Sequence, residues 1–238
     1  MRIAILGSGL MGSALGKAWA RAGHSVTFSY SRDRAKLEAL ARDAGADTRT
    51  AAPNEAVRGA EVILVSVPWH HLDDALAAAG GPDTFAEKIV ISCSMPMVAD
   101  DSDLAIGHDT SGAETLARRV PRAHFVAGFN TIPSELITPD SVRATERGEG
   151  PHVVICGDDA DAKDVAADLA WDAGFTPVDA GPLRISRYVE PFSLLVAQLA
   201  YTQELGPALG YRFLPETDQP RLHRTTPRKA SKSVMRDG

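Results

Sequence analysis

The sequence predicts an α/β protein with a doubly wound parallel sheet and a small helical C-terminal unit. Three observations predict it: β-rich runs alternate with helix-like stretches, the central runs are apolar almost throughout, and one long apolar stretch follows residue 183. Strands covered by helices on both faces are apolar along their whole length. Strand–helix–strand units of this spacing form right-handed crossovers, which generate a parallel sheet.

The individual elements follow from these runs. Strands are predicted at residues 2–6, 25–30, 61–67, 88–93, 124–129, 152–156 and 176–180. Helices are predicted at residues 10–23, 33–45, 53–59, 70–80 and 159–174. The first two helical stretches end at a glycine, which is typical of helix C-termini.

The last apolar stretch, residues 186–205, predicts the helical C-terminal unit. Pro191 lies near its start, so a helix either begins there or bends there. The segment FSLLVAQLAY, residues 192–201, is apolar nearly all round, which predicts that it is buried. It could be buried within one chain or against the same helix of a second subunit, and we expect a homodimer.

Composition limits the class of protein. The chain has 238 residues, of which 44% are hydrophobic and 24% charged, as in ordinary soluble globular proteins. Its net charge of −6 disfavours nucleic acid as the main partner. No apolar run has the length of a membrane span or of a signal peptide, so we expect a cytoplasmic protein with no membrane partner.

Two smaller features have simple interpretations. Cys93 and Cys156 lie in apolar runs, which predicts buried, reduced thiols. Residues 218–238 contain six basic and two acidic side chains and few large apolar ones, so we expect a disordered basic tail.

A glycine motif follows the first predicted strand. Gly7, Gly9 and Gly12 form G-x-G-x-x-G, placed directly between a strand and a helix. In this position the glycines permit a tight turn, close approach of the backbone to a pyrophosphate, and close helix–strand packing. The sequence therefore predicts a dinucleotide site in a Rossmann-type domain spanning residues 1–183, with the helical unit at residues 184–217.

The residues after the second predicted strand indicate which dinucleotide is bound. Proteins that prefer NAD place an acid at this point to bind the ribose hydroxyls. This chain has Ser31, Arg32, Asp33 and Arg34, and guanidinium groups match the oxygens of a phosphate. The pattern predicts NADP, with the 2′-phosphate held by Ser31, Arg32 and Arg34. Asp33 keeps NAD as the alternative.

The third long strand ends in a second group of candidate residues. Ser66, Val67 and Pro68 lie at its carboxyl end, where open parallel sheets bind ligands. Trp69 either flanks a ligand or packs under the next helix. The adjacent His70 and His71 have no partners at metal-ligand spacing, so we predict neither a metal site nor a catalytic role for them.

Seven stretches resemble one family, the NADP-dependent coenzyme F420 oxidoreductases. They are MRIAILGSGLMGSAL, SYSR, VPWHH, FNTIP, VVICGDDADAK, DAGPLRISRYVEP and ALGYRFL, and together they span residues 1 to about 215. The resemblance implies direct hydride exchange between NADP(H) and the deazaflavin ring of F420, a reaction that needs little acid–base chemistry. We accordingly predict no catalytic acid, base or metal.

By position, the resemblance also implies two sets of site residues. The cofactor set that it implies is Gly7, Ser8, Gly9, Leu10, Met11, Gly12, Ser31, Arg32, Arg34 and Pro68, and the position at the end of the strand adds Ser66 and Val67. The acceptor-pocket set that it implies is Asn130, Ile132 and Leu209, and the same position adds Trp69. Asn130 stands where the F420 enzymes of the family have histidine, and asparagine cannot become cationic. Asn130 could instead cap the turn that follows its strand.

Two other functions remain open. An NADPH-dependent enzyme could reduce a flavin or a C=N or C=C bond of a small molecule, since the N-terminus also resembles imine and pyrroline-carboxylate reductases. Alternatively, the protein binds NADP without catalysing a reaction and acts as a sensor.

Overall fold

The computed structural model describes residues 1–45, 47–203 and 205–214 of the chain. The strands are β1 (Arg2–Leu6), β2 (Ser25–Ser29), β3 (Thr48–Thr50), β4 (Val62–Val65), β5 (Ile89–Ser92), β6 (His124–Gly128), β7 (His152–Gly157) and β8 (Thr176–Asp179). The α-helices are α1 (Leu10–Arg21), α2 (Arg34–Ala44), α3 (Pro53–Gly59), α4 (Leu72–Ala78), α5 (Gly112–Arg119), α6 (Pro139–Glu146), α7 (Ala160–Ala173) and α8 (Ser186–Ala197). The predicted basic tail, residues 218–238, lies outside the described residues.

The strands form one eight-stranded sheet in the order β3-β2-β1-β4-β5-β6-β7-β8. The chain runs outward from β1 to β3 and then returns to place β4 on the other side of β1, which is the reversal that defines a doubly wound sheet. The predicted α/β fold of Rossmann type is therefore confirmed.

The sheet separates two apolar layers, because successive residues of a strand point to opposite faces. Ile3 and Ile5 of β1 face one layer, together with Trp19 of α1. Ala4 and Leu6 face the other layer. All five residues are almost completely buried, which explains why this strand is apolar throughout.

The last two strands differ from the predicted parallel sheet. β7 pairs antiparallel with β6, and β8 pairs parallel with β7, so both run opposite to β1–β6. Buried, uniformly apolar strands are typical of parallel sheets, but β7 is equally apolar because it too is covered on both faces. Strand direction depends on the connection from β6 to β7, which re-enters the sheet from the edge at which β6 ends.

Three elements were not among the predicted ones. β3 is a polar edge strand of three residues, too short for an apolar run. α5 and α6 have eight residues each and occupy long connections. The helix predicted at residues 70–80 is divided into a 3-10 turn, Trp69–His71, and α4.

The two cysteines are free thiols, as predicted. Cys156 is completely buried, and Cys93 is partly buried. Burial raises the pKa of the Cys93 thiol to about 11 and that of Cys156 to about 12, so both side chains are protonated and unreactive at neutral pH.

The C-terminal helix α8 begins at Ser186 and continues past Pro191, which lies inside it. It ends in a π-helical turn, Gln198–Thr202. Burial within the single chain, one of the two alternatives for this segment, is incomplete, since Leu195 is 54% exposed. The division at residue 184 stays a prediction.

A buried carboxylate attaches α8 to α5. Glu190 is 1% exposed, and its two oxygens accept hydrogen bonds from the backbone N–H groups of Gly112 (2.9 Å) and Ala113 (2.8 Å). These N–H groups lie in the first turn of α5, where helices have no internal acceptors for them. Glu190 therefore serves as an N-terminal cap supplied by another helix.

A second set of polar contacts supports this attachment. The Ser111 hydroxyl caps α5 by accepting from the Glu114 N–H (3.0 Å) and lies 2.7 Å from the Ser186 hydroxyl of α8. Arg187 of α8 donates two hydrogen bonds to the Glu114 carboxylate, at 2.8 and 2.7 Å. The orientation of α8 on the sheet is thus set by a connected polar network.

We predict that Glu190 makes stability pH-dependent. Burial raises the pKa of Glu190 from 4.5 to about 7, although its two N–H donors favour the charged form. The folded protein therefore keeps this proton to a higher pH than the unfolded chain does. The resulting stabilisation is complete below about pH 4.5 and is lost as the pH rises through about 7.

The measurement is urea unfolding at about pH 5 and about pH 8. We expect the free energy of unfolding to fall between these values for the natural protein and to change less for Glu190→Gln, which does not titrate. Glu55→Gln, on the exposed start of α3, is the control. Equal pH dependence in the natural protein and Glu190→Gln would contradict the prediction.

Candidate functional site

The candidate site lies at the carboxyl edge of the sheet, where β1 is flanked by β2 and β4. The chain leaves β1 into residues 7–12, which we call the glycine loop, and leaves β4 into Ser66, Val67 and Pro68. The parallel pairing of β1 and β4 brings these two segments together. They border the crevice at which doubly wound sheets bind ligands.

Two of the three motif glycines are required by backbone contacts. Gly7 has φ +101°, and a Cβ there would lie 2.2 Å from the Ser66 carbonyl oxygen. A Cβ on Gly12 would lie 2.0 Å from the Gly7 carbonyl oxygen. Both distances are far below van der Waals contact, so the loop can hold this shape only with glycine at both positions.

The middle glycine of the motif is not required by contacts with the rest of the protein. A Cβ on Gly9 would meet nothing within 4 Å among the described residues. Gly9 is the N-cap of α1, and no described side chain caps this helix end. Its first turn also contains no acid. The backbone N–H groups there can therefore be reached by an anion, which the partial positive charge of the helix end favours.

The loop after β2 contains the predicted phosphate-binding residues. Tyr30, the first residue after β2, has φ +57°. Arg32 donates from Nη2 to Nε2 of His71, at 3.0 Å. Arg34 donates to Glu38 at 2.9 Å, and its side chain is 90% exposed. Ser31 and Arg32 are exposed as well.

The acid that kept NAD as an alternative has a structural role. Asp33 is the N-cap of α2, and its carboxylate accepts from the Lys36 N–H at 2.9 Å. This contact accounts for an acid at the residue without a ribose, and it weakens the NAD interpretation.

At the end of β4, the backbone is held by a neighbouring strand. The Ser94 hydroxyl, just beyond β5, donates to the Val67 carbonyl oxygen at 2.8 Å and accepts from the Val67 N–H at 3.3 Å. Val67 is buried and Pro68 is exposed. The side of the segment that faces solvent is thus available to a ligand.

A cavity of about 230 Å³ adjoins the glycine loop. Its lining combines the start of α1, the segment after β6, α8 and the π-helical turn. The lining residues are Leu10, Met11, Asn130, Thr131, Ile132, Pro133, Ser134, Ser193, Val196, Ala197 and Tyr201. Leu10 is 77% exposed despite being a large apolar side chain, as expected of a residue that contacts a ligand.

Asn130 contributes an unusual polar atom to this cavity. Its side-chain Nδ2 contacts Met95 Sδ at 3.6 Å. Its Oδ1 is buried and has no hydrogen-bond partner among the described residues. An unsatisfied buried acceptor is costly, and such atoms in native proteins call for a ligand or water.

Two of the four residues predicted for the acceptor pocket do not line the cavity. Asn130 and Ile132 do, whereas Trp69 and Leu209 are absent from the described lining. Trp69 is half-buried and packs against the apolar layer around α4, which is the structural alternative considered for it. Tyr211, two residues after Leu209, instead donates its hydroxyl to Thr131 at 2.7 Å and supports the lining from behind.

Tyr201 is a lining residue that the sequence analysis missed. Its hydroxyl donates to the Glu135 carboxylate at 3.0 Å. Burial, followed by the nearby Glu135 charge, raises the pKa of Tyr201 to about 12, so the phenol stays protonated at neutral pH. Only the π-helical turn brings it to the cavity, and no sequence motif indicated that turn.

The described lining contains one ionisable side chain, that of Tyr201. Within the described residues there is also no group of three His, Cys, Asp or Glu side chains that could hold a metal ion. Nor does any helix in this part of the chain have the length and apolar character to span a membrane. The arrangement suits the binding and orientation of an uncharged ring more than acid–base catalysis.

The fold and the glycine loop define a dinucleotide-binding α/β protein. Residues 2–96 match the family model described as NADP oxidoreductase, coenzyme F420-dependent. This match covers the N-terminal part of the chain and supports the resemblance found in the sequence.

Two individual relatives are similar to most of the chain. The chain is 26% identical over 216 residues to the F420-dependent NADP reductase of Methanocaldococcus jannaschii, covering 84% of this chain and 92% of that protein. It is 32% identical over 193 residues to the metalloreductase STEAP3 of Rattus norvegicus, covering 81% of this chain. The chain spans 36% of the length of that metalloreductase.

Solved structures show the same fold. A crystal structure from Arthrobacter sp. FB24, assigned as an F420-dependent NADP reductase, superimposes with a TM-score of 0.78 at 25% identity. The alignment covers 90% of this chain and all of that one. An imine reductase of Streptomyces aurantiacus is similar in fold, with a TM-score of 0.60 at 21% identity over 82% of this chain and 60% of that one.

We predict that alanine at one position of the glycine loop weakens ligand binding, and that alanine at another position lowers the stability of the fold. Gly9→Ala should change the free energy of unfolding by less than about 0.5 kcal/mol, since the methyl group enters open space. It should weaken NADPH binding about tenfold or more, because the methyl group occupies the approach to the pyrophosphate. Gly12→Ala should destabilise the fold by about 3 kcal/mol or more, because of the contact with Gly7.

Urea unfolding and calorimetric titration with NADPH measure the two effects. Gly107→Ala is the matched control, because its Cβ also meets nothing within 4 Å and it lies outside the site. Undiminished NADPH binding by Gly9→Ala would show that the backbone at Gly9 is not close to the ligand.

Proposed function

We propose that this chain binds NADP(H) along the glycine loop and exchanges hydride with a second ring held in the adjoining cavity. The observation that carries the proposal is the shared lining: Leu10 and Met11 belong both to the glycine loop and to the cavity. A ligand bound at the loop would therefore lie next to any molecule in the cavity, and juxtaposition of two reactants accounts for much of the acceleration of such reactions.

The residues present fit a dinucleotide. The side-chain-free space at Gly9 and the uncapped start of α1 suit a pyrophosphate. Ser31, Arg32 and Arg34 form an exposed, basic loop that suits the 2′-phosphate of NADP. The proposed cofactor residues are those of the sequence analysis, including Ser8, Ser66, Val67 and Pro68 on the crevice.

The size and chemistry of the cavity favour a ring system as the acceptor. Its volume of about 230 Å³ is below the roughly 300–1,000 Å³ of sites that enclose a drug-sized ligand. It would hold one ring system with the remainder of the molecule outside. A mostly apolar lining with Asn130 Oδ1 as an acceptor suits a ring that carries an N–H group.

Coenzyme F420 is the acceptor named by the family, and a flavin is the runner-up. The nicotinamide would supply or receive the hydride. The chain's own residues would orient the rings: Leu10 and Ile132 by apolar contact, Asn130 by accepting a hydrogen bond, and Tyr201 by closing the cavity from the π-helical turn. The single O–H of Tyr201 donates to Glu135, so its oxygen would act toward a ligand as an acceptor.

Other acceptors are less well supported. Reduction of a C=N bond is the activity of the imine reductases, whose likeness to this chain is one of fold. The relative named a metalloreductase indicates that acceptors other than F420 occur among similar proteins. Binding of NADP without turnover is the remaining alternative, and the assay below distinguishes it.

The function is tested by mixing the protein with NADPH and one acceptor at a time: F420, FMN or a cyclic imine. We expect acceptor-dependent oxidation of NADPH with F420 or FMN and no oxidation with the imine. The visible absorbance of the acceptor ring monitors the reaction. Asn130→Leu should lower kcat/KM for the ring acceptor about tenfold, because it removes one hydrogen bond from a buried site. Tight NADPH binding without oxidation by any acceptor would favour the sensor.

The cofactor arm of the same assay uses Arg32→Ala. The KM for NADPH should rise about tenfold or more, whereas the KM for NADH should not change, because the lost charge-assisted contact is to the 2′-phosphate alone. Arg42→Ala, in the last turn of α2, is the control. Equal losses with both coenzymes would contradict the assignment of the pocket.

We also propose that the protein is a homodimer through α8. Tyr188 and Leu195 are 68% and 54% exposed, and with the exposed Pro191 they form an apolar stripe on one face of α8. Adjacent α8 residues line the cavity, so the same helix of a second subunit would pack beside it. An isologous contact of this kind closes on itself.

Analytical ultracentrifugation measures this expectation. Leu195→Glu should shift the protein from dimer to monomer, because it places a charge in the centre of the apolar stripe. Ala39→Glu, which adds the same charge to the exposed face of α2, should leave the dimer intact. A natural protein that sediments as a monomer would overturn the proposal.

A further inference from the structure

Arg32 has a partner from a different part of the crevice. Its Nη2 lies 3.0 Å from Nε2 of His71, a residue 39 positions away that follows β4. A guanidinium only donates hydrogen bonds, so Nε2 of His71 must be the acceptor. The ring therefore carries its proton on Nδ1 in this arrangement.

His71 is itself firmly placed. It ends the 3-10 turn after β4, where its N–H donates to the Pro68 carbonyl oxygen at 2.9 Å. The Tyr30 hydroxyl donates to the His71 carbonyl oxygen at 3.3 Å. The two loops on either side of β1 are thus connected twice, once through the backbone of His71 and once through its ring.

We propose that His71 is a specificity-determining residue that positions Arg32 for the 2′-phosphate of the dinucleotide. This inference rests on the proposed binding of NADP, and it adds a residue that neither the glycine motif nor the basic loop contains. A guanidinium has five N–H donors, so one bond to His71 leaves the others for phosphate oxygens.

The physical benefit is preorganisation. An exposed arginine that becomes ordered on binding loses much of its rotamer freedom, at a cost comparable to the gain from one hydrogen bond. Arg32, held by His71 before the ligand arrives, avoids part of that cost. The discrimination between NADP and NAD would then depend on both loops, although only one of them touches the phosphate.

The neighbouring His70 provides a matched control. It occupies the same 3-10 turn and is exposed, and its ring contacts that of His71 at a tilt of 53°, with ring centroids 4.2 Å apart. Among the described residues, Arg32 donates its hydrogen bond to His71. A general disturbance of the turn should therefore appear in both alanine variants, whereas loss of the positioning bond should appear only in His71→Ala.

The experiment is calorimetric titration with two ligands, adenosine 2′,5′-bisphosphate and adenosine 5′-monophosphate. We expect His71→Ala to weaken binding of the bisphosphate about tenfold and to leave the monophosphate unchanged, and His70→Ala to change neither. His71→Gln should restore most of the affinity, because its Oε1 can accept in place of Nε2. In an Arg32→Ala background, His71→Ala should have no further effect.

The outcomes separate this inference from the proposal on which it rests. If the natural protein shows no preference for the bisphosphate, the assignment of NADP fails. If that preference exists and Arg32→Ala removes it, but His71→Ala keeps it, the assignment of NADP stands and the role of His71 is overturned. Equal weakening of both ligands by His71→Ala would also overturn it, since it would indicate a merely structural role.

Discussion

The candidate site depends on the close approach of backbone to backbone where β1 ends. The Gly7 Cα lies so near the Ser66 carbonyl, and Gly12 so near the Gly7 carbonyl, that no side chain fits at either glycine. This contact fixes the direction in which α1 leaves the sheet. It therefore also fixes where the open N-terminus of α1, Leu10 and Met11 lie relative to the rest of the crevice.

A second constraint acts from the C-terminal side. Glu190 and Arg187 bind α8 to the start of α5 through buried or half-buried polar contacts. Ser193 and Val196, on the same helix, line the cavity. Burial of a carboxylate is costly unless its oxygens are satisfied, and here both are. The cavity is thus bounded by two elements whose orientations are set by contacts outside it.

Much of this arrangement could be predicted from the sequence, because it depends on local signals. The apolar strands, the glycine motif and the basic loop each have a pattern that spans fewer than about fifteen residues, the range within which periodicity and turn chemistry are informative. The assignment of Asn130 and Ile132 to the acceptor pocket came from a resemblance to a family, and both residues line the cavity.

What could not be predicted depends on contacts between distant residues. The hydrogen bond between Arg32 and His71 joins two loops that are 39 residues apart in the sequence. No residue next to His71 in the sequence indicates that its ring contacts an arginine. Tyr201 reaches the cavity through a π-helical turn, and π-helices have no distinctive sequence pattern. The direction of β7 was missed because coverage on both faces makes parallel and antiparallel strands look alike.

The reversal of β7 has a consequence for how much protein such a site requires. Because β7 runs antiparallel to β6, it starts at the edge of the sheet where β1–β6 end. The segment around Tyr211 lies at the same edge, since the His152 N–H donates to the Tyr211 carbonyl oxygen at 2.8 Å. The segment around Tyr211 consequently reaches the edge of the sheet that carries the candidate site. The proposed crevice for two ligands would be completed in this way by reversed strands of the same sheet, and this arrangement would not require a separate lobe to enclose the second molecule.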